Sequence, residues 1–227
     1  MIRTDIEGEA RAVGVPSEGI VLEGELVVPA DAPGVVLFAH GSGSSRHSVR
    51  NRYVASVLRQ AGLGTLLFDL LTPAEEAVDE VTAEYRFDID RLTRRLADAA
   101  RWILAEPSTA DRAVGFFGAG TGAAAALRAA AELGDRIGAV VSRGGRPDLA
   151  GEALPLVTAP TLLIVGGADD VVITLNEQAR ARLRCGNRLH VVPGAGHLFA
   201  EPGTLEEVAR AAAEWFDRHL RRERRGV

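Results

Sequence analysis

Between Val114 and Leu127 the chain reads Val114-Gly115-Phe116-Phe117-Gly118-Ala119-Gly120-Thr121-Gly122-Ala123-Ala124-Ala125-Ala126-Leu127. An apolar run rich in strand formers passes through alternating glycines straight into an alanine-rich helical run. With so few residues between them, strand and helix must fold back on each other at close range, which only small side chains permit. Such a unit belongs to a sheet covered by helices, and this stretch limits the fold more than any other.

The rest of the chain repeats the theme. Segments 8–15 and 20–28 alternate apolar and polar residues around Pro16-Ser17-Glu18-Gly19, which predicts an antiparallel hairpin. Segments 35–39, 64–68, 113–117, 137–141 and 161–165 are continuously apolar, as strands buried on both faces are, and 189–192 is a shorter version. Helical patterns alternate with them at about 47–61, 87–105, 120–133, 171–184 and 203–221. The expected fold is α/β: a mostly parallel central sheet with an N-terminal antiparallel hairpin and helices on both faces. The acidic stretch 72–86 is expected to be an irregular loop. No composition break or repeat divides residues 1–227, so one domain is expected.

Composition narrows the function. A net charge of −5 and a pI near 5.6 argue against nucleic acid as the main ligand. All 26 basic residues are arginine, read here as compositional bias. The basic run from Arg218 to Arg225 is expected to be a solvated helix end. The single cysteine, Cys185, excludes an internal disulfide, and Gly186 after it reads as a helix C-cap. No signal peptide or membrane span is apparent, so a cytoplasmic protein is expected, with no metal or organic cofactor.

In parallel sheets ligands bind beyond the carboxyl ends of the strands. The residues there are His40-Gly41-Ser42-Gly43, Asp69, Gly118 to Gly122, Ser142-Arg143-Gly144, Gly166 to Asp170, and Pro193 to His197. His197 stands in a glycine-rich loop between the last strand and the last helix. His40 reads as structural, His190 lies in a strand, and His219 lies near a helix end.

Gly118-Ala119-Gly120-Thr121-Gly122 resembles the G-x-S-x-G nucleophile elbow of α/β-hydrolases, with glycine where the nucleophile belongs. Over nearly its whole length the chain is similar to the dienelactone-hydrolase type of that superfamily. The resemblance implies an order of nucleophile, acid and histidine, which falls on Gly120, Asp169 and His197. The Gly166-x-x-Asp169-x-x-Val172 spacing selects Asp169 over Asp170, leaving Asp170 as a helix cap. The resemblance also implies an oxyanion hole from the backbone N–H groups of Thr121 and Ser42, with Gly43 the near alternative. Gly43 and Arg143 are expected against the substrate; the guanidinium forks of Arg143 and Arg146 suit a carboxylate, and a place on a surface loop suits them as well. Asp69, Ser142 and Arg146 are further candidates for lining the pocket.

A hydrogen side chain at Gly120 cannot form an acyl-enzyme. The expectation is therefore an inactivated variant of a hydrolase of small esters or lactones. A natural pseudoenzyme or binding protein on the same fold is the alternative. A third reading takes Gly118-Ala119-Gly120-Thr121-Gly122-Ala123 as the G-x-G-x-x-A fingerprint of a dinucleotide-binding oxidoreductase, with Arg143 against a 2′-phosphate. That reading leaves Asp169 and His197 without a role.

Overall fold

The computed structural model describes residues 8–221. The expectations for the charged N-terminus and for the basic run beyond Arg221 fall outside them.

The hairpin is present as β1 (Ala10–Ser17) and β2 (Ile20–Val27). Its turn is tighter than the expected four-residue break. Pro16 and Ser17 stay in the strand, and Glu18 and Gly19 alone turn the chain, both at positive φ (48° and 81°). This is the two-residue geometry whose twist matches paired strands. The buried strands follow as β3 (Gly34–Ala39), β4 (Gly64–Phe68), β5 (Ala113–Ala119), β6 (Ile137–Arg143), β7 (Thr161–Gly166) and β8 (Asn187–Val192). They form one eight-stranded sheet in the order β1-β2-β4-β3-β5-β6-β7-β8, antiparallel at β1/β2 and β2/β4 and parallel thereafter.

The sheet divides the apolar residues into two cores by strand alternation. In β3, Val35, Leu37 and Ala39 face one side, and Val36 and Phe38 face the other. On the first side lie α3 (Ile89–Ala105), α4 (Thr121–Leu133) and α5 (Asp170–Arg182). On the second lie α1 (Val49–Gln60) and α6 (Thr204–Leu220), whose Phe216 and Leu220 are fully buried.

The stretch expected as a loop contains a helix, α2 (Pro73–Thr82). Thr72 Oγ1 accepts the Glu75 N–H at 3.3 Å, and Glu75 Oε2 accepts the Thr72 N–H at 2.8 Å. With Pro73 at the first helical position this is a complete capping box. The Thr72-Pro73-Ala74-Glu75 signal was present in the sequence, but acidity and the short apolar stripe masked it. The Glu75 carboxylate also receives both arms of the buried Arg95 guanidinium (2.6 and 2.7 Å), which fastens α2 to α3. Burial pushes the Glu75 carboxyl up, but Arg95 and Thr72 outweigh it and hold its pKa at about 2.

The helix before Cys185 ends earlier than expected. Leu183 is already extended and its N–H closes the last turn, so Gly186 is not a C-cap. Cys185 is half-buried, and burial pushes its thiol pKa up. Among the described residues no helix is long and apolar enough to cross a membrane.

Candidate functional site

The elbow follows from packing. A Cβ on Gly118 would lie 2.5 Å from the Ala123 Cα, and one on Gly122 would lie 2.2 Å from the Ala39 carbonyl oxygen. Those two glycines are therefore obligatory for the approach of α4 to β5 and β3. Gly120 is different. A Cβ there would meet only the Gly41 Cα, at an ordinary 3.5 Å. Its constraint is the backbone, at φ 53°, ψ −123°, a conformation L-residues adopt only under strain. Position 120 thus has room for a small side chain but a dihedral that favours glycine.

Gly120 opens into a cleft of about 230 Å³ whose lining includes Ser42, Thr121, Arg50, Arg143, Arg146 and His197. Across it, His197 Nδ1 lies 2.7 Å from Asp169 Oδ2. The carboxylate accepts, which assigns the proton of the neutral imidazole to Nδ1 and leaves its lone pair on Nε2, an atom with no protein partner among the described residues. The Asp169 side chain is 17% exposed and that of His197 51%. Asp169 is itself the cap of α5, its Oδ1 accepting the Val172 N–H at 3.4 Å. Asp170, expected as the cap, is instead the first residue of the helix. One carboxylate thus uses one oxygen for the fold and the other for the histidine.

The loop after β3 passes directly beside the elbow. Ser42 Oγ and Thr121 Oγ1 are 3.1 Å apart. Among the described residues the Ser42 and Thr121 amides have no acceptor, and the Thr121 N–H belongs to the first turn of α4, where helix donors are free. Gly43, expected against the substrate, is not among the residues that line this cleft. It lines a separate cavity of about 110 Å³ that shares Gly41, Ser42, Ser44 and Thr121 with the cleft and is walled by Glu76, Asp79, Glu80 and Arg86. In that wall Asp79 is raised by burial but held below the usual carboxylate range by the Tyr85 and Arg86 N–H groups and the Arg86 side chain. Glu76 is pushed up by burial and by Asp69 and Glu80.

The remaining candidates separate cleanly. His40 is structural: Nε2 accepts the Leu70 N–H at 2.9 Å and Nδ1 donates to the Gly41 carbonyl at 3.1 Å. Burial holds its pKa below the usual value. Asp69 accepts the Arg46 N–H at 2.7 Å and pairs with the Arg46 guanidinium, so it fixes a loop. Ser142 is fully buried behind the strand end and does not line the cleft. Arg146 is forked onto Asp148 at 2.9 and 2.8 Å. Arg143 faces the cleft without a partner, its pKa lowered to about 10 by burial and by the nearby charge of Arg50. Arg50, on the first turn of α1, was not singled out from the sequence. Its signal was only a place close after the His40 strand end. Among the described residues no group of three His, Cys, Asp or Glu side chains is placed to hold a metal ion.

Comparison with known proteins agrees with this fold. The model of the dienelactone hydrolase family matches residues 22–221. The crystal structure of a dienelactone hydrolase from Anabaena variabilis superposes with a TM-score of 0.92 at 57% identity, covering 94% of this chain and 99% of that one. Est1E from Butyrivibrio proteoclasticus shares the fold at a TM-score of 0.75 and 17% identity, covering 93% of this chain and 99% of that one. A Mycobacterium tuberculosis protein named putative phosphoribosyl transferase is 57% identical over 208 residues, 92% of this chain but 46% of its own length. The chain thus spans about half the length of the curated relatives it matches. The family match favours the hydrolase resemblance over the dinucleotide-binding one. The eight-stranded, mostly parallel sheet, the 57% identity to a dienelactone hydrolase and the family match over residues 22–221 lead to one conclusion: the chain belongs to the dienelactone hydrolase family.

Proposed function

We propose that this chain carries the site of an ester or lactone hydrolase from which the nucleophile is missing, so that it binds such a ligand and consumes it slowly at most. The observation that carries the reading is His197, hydrogen-bonded to Asp169 behind it, lining the same cleft as a strand–helix turn with glycine at its tip. Asp169 fixes the imidazole tautomer, His197 Nε2 is the base, and the Ser42 and Thr121 amides are the donors for a developing oxyanion. Substrate carbonyl binding uses those backbone groups and survives the loss of a side chain. Bond formation does not, because the attacking oxygen is absent.

The test is Gly120→Ser. The restored variant is expected to hydrolyse short activated esters and to be labelled by a serine-directed phosphonate. Losing a nucleophile typically costs on the order of 10⁶-fold, so the gain spans several orders of magnitude. A folded serine variant that neither turns over any ester nor takes up the label sinks the reading. A second reading, a binding module on the hydrolase fold, is favoured by the relatives' doubled length. It expects ligand binding by the glycine chain and no gain with serine.

A further inference from the structure

A guanidinium removed from water is ordinarily paired with a carboxylate or forked onto carbonyls. This molecule follows the rule at Arg95, Arg86, Arg112 and Arg146. Among the described residues two half-buried arginines have no hydrogen-bond partner at all, and both line the same cleft. Arg143, at the end of β6, and Arg50, on the first turn of α1, form no hydrogen bond or ion pair among the described residues, and Arg143 Nη1 and Arg50 Nε are both buried without a partner. They lie close enough to oppose each other's charge, yet among the described residues no Asp or Glu side chain lines the cleft. The carboxylates stand on the other side of Thr121, in the smaller cavity with Glu76, Asp79 and Glu80. The elbow therefore sits between a basic and an acidic wall.

We propose that Arg50 and Arg143 form an anion subsite beside Gly120 that takes the dianionic phosphate of a phosphomonoester ligand. The inference rests on the ester-binding reading and names the class of ligand for it. Two uncompensated cations match two negative charges, and planar guanidinium forks suit phosphate oxygens. Arg50 stands at the start of α1, where the helix dipole and first-turn amides add positive potential. The opposite acidic wall repels the same group and so fixes which end of the ligand enters which side. The reacting carbonyl then lies over Gly120, between the phosphate and the rest of the molecule.

The experiment is isothermal titration of the full chain with inorganic phosphate, phenyl phosphate and acetate at matched ionic strength, with thermal melts in parallel. Saturable binding of both phosphate compounds is expected, with acetate about tenfold weaker or worse. Arg143→Met and Arg50→Met are each expected to weaken phosphate binding by about tenfold or more, while Arg136→Gln, on the far side, leaves it unchanged. Without ligand, Arg143→Met is expected to melt at the same temperature or higher, because it removes an unpaired buried charge; a merely structural arginine would give a lower melt. Should Arg143→Met not fold, Arg143→Gln and Arg50→Met carry the test. Phosphate affinity untouched by either arginine, or acetate binding as tightly as phosphate, overturns the subsite. In Gly120→Ser, phosphate should compete with a neutral ester. Ester turnover that phosphate does not inhibit overturns the subsite and leaves the hydrolase reading standing. Phosphate binding in a serine variant without turnover does the reverse.

Discussion

His40 Nε2 accepts the Leu70 N–H at 2.9 Å, tying the start of the loop beside the elbow to the chain leaving β4. Arg95 Nη1 donates to the carbonyl of the same leucine at 2.6 Å. Both backbone groups of Leu70 are thus held by side chains, one of them from His40, two residues before Ser42. The imidazole is a neutral acceptor there. Burial holds its folded pKa below the unfolded value, so below about pH 6.5 the unfolded state binds the extra proton and stability falls with pH. His40→Ala is expected to cost about 1–3 kcal/mol at pH 8 by orphaning the Leu70 N–H, and to flatten the loss of stability between pH 6.5 and 5. Denaturant titrations across that range check both parts. An unchanged pH slope refutes the assignment.

Glu75 governs a lower window. Its pKa of about 2 in the folded chain lies below its ordinary value of 4.5. A depressed carboxyl adds stability above the unfolded pKa and loses it as pH falls from about 4.5 toward 2. Glu75→Gln should therefore destabilise the protein at pH 7 by at most about 3 kcal/mol and make it less sensitive to acid below pH 4.5. Acid unfolding followed by circular dichroism decides it.

The glycines of the elbow should respond differently to alanine. Gly120→Ala has space for its methyl and carries only the dihedral strain, about 1–3 kcal/mol. Gly122→Ala places a Cβ against the Ala39 carbonyl oxygen and must move α4 from the sheet, so expression of folded protein is expected to collapse. Two alanine variants of equal stability would refute this account of the turn.

In the Gly120→Ser background, Asp169→Asn and Asp169→Ala separate two jobs of one side chain. Asparagine caps a helix as well as aspartate does, so its melting temperature should change little while turnover falls on the order of 10⁴-fold through the wrong imidazole tautomer. Alanine should lose the same activity and in addition about 1 kcal/mol of stability. Paired melting curves and kcat values test the split.

The strands and the five long helices were legible because each carries a strong period: continuous apolar runs such as 35–39, or the apolar stripe of 87–105. The helix Pro73–Thr82 was missed because its evidence lies in side-chain chemistry at one end, the Thr72–Glu75 capping pair, rather than in periodicity. At the site, the placements of Gly120, Asp169 and His197 were readable from strand ends. Arg50 was not, since an unpaired arginine becomes visible only when every possible partner has been located in space.

Asp169 owes part of its position to the start of α5, and the elbow glycines owe theirs to the contact between strand and helix. A lineage that gave up chemistry would keep all of them, since folding alone would punish their loss. His197 has no such second employment: its side chain is half exposed and, among the described residues, its one hydrogen bond is to Asp169. Among close relatives with glycine at position 120, drift at His197 alone would therefore mark a site released from catalytic selection, and its persistence would mark one still in use.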